Sequence, residues 1–175
     1  MEQAYREKRL FWHNLKRVDK PGTKIFGIDK IIIAGMEFNL FDIAGHPINL
    51  FIAANSLNES GFYYEKNNPE KLGYILGRNN AVFRKIISNL LNEASDLTYN
   101  MDEYKTLPRP PKLNFVTFFA LGRWGRFYKT LTYNEIFCPE HPYYKFFVYS
   151  KQLIDEMRKI EMNRLAREKE KSNKK

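Results

Sequence analysis

The sequence holds one cysteine, Cys138, in 175 residues, which excludes an internal disulfide. A single thiol suits a reducing compartment. There is no charged-then-apolar leader, and no apolar run approaches the ~20 residues of a membrane span. These absences lead us to expect a soluble, cytoplasmic protein with no membrane partner. Metal-ligating residues are equally sparse: Cys138 and His141 form one Cys-x-x-His half-site, and the other histidines are His13 and His46. A closed zinc site needs four ligands, so no metal is expected, and the thiol is read as buried beside a turn histidine. No Ser-His-Asp set, phosphate-binding glycine loop or paired-carboxylate pattern is present, and Asp42 and His46 flank one turn without an assignable acid–base role. The sequence therefore reads as non-enzymatic, with no cofactor. The last absence is local: Tyr104 to Asn134 contains no Asp or Glu.

That acid-free stretch carries six cations, Lys105, Arg109, Lys112, Arg123, Arg126 and Lys129. They alternate with Phe115, Phe118, Phe119, Trp124, Phe127, Tyr128 and Tyr133. Cations that follow phosphates and rings that stack on bases are the combination that holds single-stranded nucleic acid. The Gly122-Arg123-Trp124-Gly125-Arg126 turn is expected to expose Trp124 at a hairpin tip. The same residues could anchor a protein partner, because Trp, Tyr and Arg dominate protein hot spots, or the rings could be core and the cations a solvated rim. Across the whole chain Lys and Arg exceed Asp and Glu by 29 to 20, a formal charge of +9. That excess favours a polyanion or an acidic protein surface as partner.

The length suits a single domain, which would bury about 70% of its unfolded surface. Met1 to Val18 reads as an amphipathic helix with Ala4, Phe11, Leu15 and Val18 on one face and Trp12 at its edge. Arg6, Lys8, Arg9, Lys16 and Arg17 form its solvated back; the alternative is a basic arm that orders on a partner. Asp19-Lys20-Pro21-Gly22 ends it. Strands follow: Ile25 to Ile33, a turn or bulge at Ala34-Gly35, then a hairpin from Phe38 to Ala54 in which Met36, Phe38 and Leu40 alternate with Glu37 and Asn39. Gly61 to Glu65 adds a strand.

Asn68 as N-cap and Pro69 at the first helical position predict a long central helix over 69–94. Its apolar arc holds Leu72, Ile75, Leu76, Val82, Phe83, Ile86, Ile87, Leu90, Leu91 and Ala94. Lys71, Arg78 and Lys85 recur every seven residues as a basic stripe beside it. Ser95 to Pro111 reads as a long extended surface connection because of its prolines. Leu113 to Leu121 and Phe127 to Tyr133 form a second hairpin, and Tyr143 to Tyr149 an aromatic strand. Ser150 is expected to cap a terminal helix that frays beyond Leu165.

The fold expected is a single α+β domain: a mainly antiparallel sheet packed by the central helix, with helices at both termini. In residue terms, 1–20 is an N-terminal helix or arm, 21–150 the core, and 151–175 a C-terminal helix with a frayed basic tail. The candidate binding residues are Lys71, Arg78, Lys85, Arg109, Lys112, Arg123, Trp124, Arg126, Tyr128 and Lys129. The function expected is non-enzymatic binding of single-stranded DNA or RNA through backbone and stacked bases. An inhibitor or adaptor acting on an acidic protein surface, and a structural component of a larger complex, are the alternatives.

Two resemblances touch the same region. Gly61-Phe62-Tyr63, Tyr74-Ile75-Leu76-Gly77 and Arg84 loosely resemble the GIY-YIG endonucleases, which pair two such motifs on neighbouring strands with a downstream Arg and Glu. Here Leu76 interrupts the second motif, and the expected helix start at Asn68-Pro69 would put Tyr74 on a helix. The run from Phe38 to Lys85 resembles small accessory proteins of bacteriophages and mobile elements, in which a hairpin leads to a Gly-Arg helix entry, here Lys71, Gly73, Gly77 and Arg78. That resemblance implies an accessory or anti-defence role.

Overall fold

Side chains of a strand alternate between its two faces, and this alternation in Ile31–Phe41 organises the molecule. Ala34, Met36 and Phe38 fall on one face of this strand, and Ile33, Gly35 and Glu37 on the other; all six are buried. The strand, β1, lies at the centre of a seven-stranded antiparallel sheet. The computed structural model describes residues 3–14, 31–41, 44–65, 72–77, 81–123 and 125–172. Within them the remaining strands are β2 (Pro47–Asn55), β3 (Ser60–Glu65), β4 (Leu72–Leu76), β5 (Asp102–Glu103), β6 (Phe115–Gly122) and β7 (Arg126–Thr132). The helices are α1 (Gln3–Asn14), α2 (Ala81–Leu97) and α3 (Tyr144–Ser172). The sheet order is β4-β3-β2-β1-β6-β7-β5. The chain is a single-domain α+β fold, as expected.

Each face has its own core. The even face of β1 joins Ile52, Phe62, Val116 and Phe118 beneath α2 and α3, which contribute Phe83, Ile87, Leu90, Phe146, Leu153 and Met157. Full burial of each such side chain contributes about 1.5–3 kcal/mol. The odd face joins Phe51, Ala53, Tyr63, Phe119 and Leu121 beneath α1, which contributes Tyr5 and Trp12. The two expected hairpins form: β1 pairs β2 with Phe38 opposite Leu50, and β6 pairs β7 with Phe118 opposite Lys129. Expected turn residues Ala34-Gly35 instead sit mid-strand, and the irregularity falls between Ile31 and Ile33. Gly35 is there because the rings of Phe51 and Phe119 stack 5.3 Å apart on that face, and a methyl on Gly35 would lie 2.6 Å from the Phe119 ring.

Four expectations are corrected. Residues 69–94 are not one helix. Leu72–Leu76 is a strand paired to β3, with Tyr74 opposite Tyr63, and the helix begins at Ala81. Gly73 and Gly77 weaken a helix by about 1 kcal/mol each, whereas Gly77 suits a close approach: its N–H donates to the Ser60 carbonyl at 3.0 Å, and a Cβ there would meet Ser60 Oγ at 2.0 Å. Asn68 and Pro69 lie outside the described residues. With the helix divided, the Lys71-Arg78-Lys85 stripe does not exist as a helical row, and Gly73 is not a helix entry. Lys85 is on α2, while Lys71 and Arg78 lie outside the described residues.

The second correction is at the other end. Tyr143 to Tyr149 is not a strand but the start of α3, and Ser150 is a buried interior residue rather than a cap. Tyr143, Phe146, Phe147, Ser150, Leu153, Ile154 and Met157 are buried at helical spacing. Helix geometry also continues to Ser172 instead of stopping near Leu165, with Arg164 paired to Glu161 and Glu168 one turn either side. Third, the connection after α2 is not wholly irregular: Asp102 and Glu103 add a short edge strand opposite Tyr128 and Phe127. Fourth, Cys138 is exposed, with its thiol donating to Glu140 at 2.8 Å.

Gly35→Ala is expected to lower unfolding free energy by about 3 kcal/mol, because the new methyl would lie 2.1 Å from the Ile52 carbonyl oxygen. Gly45→Ala meets no neighbour within 4 Å and only a φ of 81° opposes it, so it should cost about 1 kcal/mol. Equal losses of urea midpoint in the two variants would contradict the close-approach role of Gly35.

Candidate nucleic-acid interface

The odd face of the sheet carries a charge in its centre. Glu37, on β1, is 1% exposed. Burying a lone carboxylate costs several kcal/mol, so a partner is obligatory. Helix α1 brings it. Arg9 Nε lies 2.6 Å from Glu37 Oε1, and the Tyr5 hydroxyl donates to the same oxygen at 3.0 Å. The Arg9 contact is Coulombic rather than an aligned hydrogen bond at Nε. Trp12 Nε1 donates to the Tyr63 hydroxyl at 3.2 Å, and His13 Nδ1 makes a short hydrogen bond with the Tyr104 hydroxyl. Burial pushes the His13 pKa down from 6.5 to about 3, and the nearby Arg9 and Arg126 charges add to that. Burial also holds the Tyr104 phenol well above its ordinary range.

This arrangement differs from the helix expected from the sequence. The buried residues of α1 are Tyr5, Arg9, Trp12 and His13, while Phe11 is 55% exposed. Arg9 is not part of a solvated back. Val18 and the neighbouring cations Lys16 and Arg17 lie outside the described residues, as does Leu15.

A second segment crosses the same face. The Tyr104 N–H donates to the Arg126 carbonyl at 2.8 Å, and the Asn114 N–H donates to the Asn39 carbonyl at 2.8 Å. Between these ends Arg9 Nη2 donates to the Pro108 carbonyl at 3.0 Å. Residues 104–114 are thus a strap, pinned at the β7 end, the middle and the far end of β1. Lys105, Arg109 and Lys112 are exposed along it. They span at most about 25 Å of chain. Arg6 and Lys8 are exposed on α1.

The sequence-derived candidates separate into groups. Arg109 and Lys112 lie on the strap. Arg126 and Tyr128 share the odd face of β7, where Arg126 Nη1 donates to Asn14 Oδ1 at 3.5 Å and Tyr128 packs edge-on against Tyr104. Arg123 is exposed in the β6–β7 turn, and Trp124 lies outside the described residues. Lys129 pairs with Phe118 and so faces the opposite side of the sheet, as does exposed Lys85 on α2. The seven described candidates therefore do not share one face of the sheet. Of the interleaved rings, Phe118 and Phe119 are fully buried and Phe127 packs against the core, while Phe115, Tyr128 and Tyr133 are half-buried. The acid-free stretch is flanked in space by acids, since β5 sets Asp102 and Glu103 beside Tyr128 and Phe127. The residues the sequence reading passed over are Tyr5, Arg9, His13 and Glu37. A charged residue in the middle of an apolar strand was the signal available for Glu37.

The nuclease-like residues part company in the same way. Gly61-Phe62-Tyr63 and Tyr74-Ile75-Leu76 do lie on paired neighbouring strands. But Tyr63 is buried under α1 on the odd face, while Arg84 is exposed on α2 across the sheet. The tyrosine and the arginine cannot converge on one substrate. Among the described residues no group of three or more His, Cys, Asp or Glu could hold a metal ion, and no helix is long and apolar enough to cross a membrane. Comparison with protein-family models, with curated proteins and with solved structures finds no match to this chain.

Two outcomes follow for the latch beneath α1. Arg9→Met leaves the Glu37 carboxylate buried and should cost about 3–5 kcal/mol. The double variant Arg9→Met, Glu37→Leu should recover much of that loss in urea unfolding. His13 binds its proton at about pH 3 folded and near pH 6.5 unfolded. Its contribution is therefore complete above about pH 6.5 and is lost as pH falls towards 3. The stability slope on that limb should be shallower in His13→Gln by up to about 1.4 kcal/mol per pH unit.

Proposed function

We propose that the chain binds the sugar–phosphate backbone of nucleic acid, single-stranded DNA or RNA, through the strap and the exposed side of α1. The observation that carries this reading is the strap itself. Backbone hydrogen bonds at both ends and the Arg9 contact in the middle hold Lys105, Arg109 and Lys112 outward on one surface. Pinned cations lose little freedom on binding, so more of their attraction to phosphate is available as affinity. Arg126, Arg6 and Lys8 extend the positive field on that side, and the chain's charge of +9 supports it at longer range. Contacts of this kind position a strand without reading its sequence. Stacking by Phe118 and Phe119 is not part of the proposal, because those two rings are buried in the core. Phe11 on α1 is the exposed ring available beside the cations.

Fluorescence anisotropy with a labelled oligothymidylate checks this. Affinity should fall linearly on a log–log plot against salt. Each phosphate contact removed should lower the slope by about 0.7, so Arg109→Ala, Lys112→Ala should lower it by about 1.4. Lys85→Ala, across the sheet, should leave it unchanged. An unchanged slope in the double variant, or a flat salt response in the parent protein, contradicts the reading.

A further inference from the structure

The even face of the sheet holds a cleft that the strap and α1 do not touch. Its volume is about 470 Å³, within the roughly 300–1,000 Å³ range of small-molecule sites. The floor is apolar, built from Phe38, Ile48, Leu50, Phe62 and Ile75 of four neighbouring strands, and Phe147 and Ile154 of α3 form a wall. The polar groups are concentrated on one side. Lys151, Asp155 and Arg158 follow one another on one face of α3, at spacings of four and three residues. Lys151 and Asp155 neutralise each other at 2.6 Å. Arg158 is exposed at the same rim and has no carboxylate partner among the described residues. A Tyr133 hydroxyl completes the lining; burial raises its pKa and the Lys151 charge opposes that rise, which places phenol and ammonium at the same rim. The mouth is thus an apolar hollow with one uncommitted guanidinium at its edge.

We propose that this cleft binds a free amphipathic carboxylate, with its hydrocarbon tail on the strand floor and its head group on Arg158. The tail takes the apolar surface that half-buried Ile48 and Leu50 leave uncovered between sheet and helix. The head suits guanidinium geometry, whose paired N–H groups match the two oxygens of a carboxylate. A neutral amphiphile of equal length fills the hollow but leaves Arg158 unused. A cationic one meets the excess positive charge at the rim.

The test uses the full chain and the fluorescent anion 8-anilinonaphthalene-1-sulfonate, displaced by decanoate, decanol or decyltrimethylammonium. Saturable one-to-one binding is expected, with decanoate displacing the dye at least tenfold more effectively than the other two. Arg158→Ala should erase the preference for decanoate over decanol while leaving thermal unfolding unchanged, since its side chain lies at the surface. Ile48→Trp should fill the hollow and abolish dye binding. Equal displacement by decanoate and decanol, or a preference that survives Arg158→Ala, overturns the assignment of the head group. Absence of saturable dye binding, or dye binding unaffected by Ile48→Trp, overturns the site. If Ile48→Trp does not fold, Arg158→Ala decides alone.

Discussion

A single buried carboxylate dictates how the two faces of this sheet differ. Glu37 sits on the central strand between Phe51 and Thr117 of the neighbouring strands, far from either edge of the sheet. No water-exposed position lies within reach of that side chain, so the sheet is compatible only with a partner that comes down from above. Arg9 is that partner, and its remaining donors decide what else lies on this face, because Arg9 Nη2 also holds the Pro108 carbonyl. One charge therefore positions an N-terminal helix and a proline-rich connection far away in sequence. Net stabilisation from such a pair is small, and its value is in specifying one arrangement. Sliding α1 by one residue would turn Arg9 away and leave Glu37 unpaired, whereas an all-apolar interface would tolerate the slip.

The opposite face has no such restriction, and it is built differently. Its side chains from β1, β2, β3 and β6 are apolar almost without interruption, and two helices share the covering of them. Exchange of similar volumes there costs little uniqueness. The cleft between the strands and α3 belongs to this permissive side. It exists because α2 fills the region near Phe83 and Leu90 while the rim residues of α3, Lys151, Asp155 and Arg158, are too polar to close over the floor.

What could be read from the sequence follows this division. Period-two alternation identified β2 and the later half of β1, and apolar runs either side of a glycine-bearing turn identified β6 and β7, because local pattern and tertiary burial agree there. Alternation also assigned the Glu37 side to solvent, since it says that two faces differ but not that both are covered. The partner is on α1, whose apolar stripe at Phe11, Leu15 and Val18 pointed to the wrong face. Period 3.6 found α2 correctly from Phe83 onward and failed before it, where Leu72, Ile75 and Leu76 happened to continue the arc. In β4 the glycines were the contrary sign: each costs a helix free energy, and Gly77 fits under Ser60 only without a side chain. At Tyr143–Tyr149 the error ran the other way, with aromatic and β-branched residues outweighing helical spacing that extends unbroken to Met157. For the candidate site, Arg109 and Lys112 were legible as exposed cations. Their being held in a strap was not, because the holding groups are backbone carbonyls and an arginine on another element.

Charge shows the same limit, and it bears on where each face can be probed. A run without acids is a statement about neighbours in sequence, whereas potential depends on neighbours in space. Strand β5 returns Asp102 and Glu103 to the flank of β7, so the field there is weaker than the composition of 104–134 implies. The strap begins directly after β5, so Lys105 lies two residues from Glu103, whereas Arg109 and Lys112 sit farther along it. On the other side, Met36 and Phe38 line the cleft while Glu37, between them, anchors α1. A substitution at either apolar residue shifts the backbone that aims the carboxylate, and would disturb both faces at once. The rim of α3 has no such link, since among the described residues Arg158 makes no hydrogen bond or ion pair to β1 or the strap. A change there alters the charge at the cleft and leaves the latch on the far face as it was, which separates the chemistry of one face from the architecture of the other.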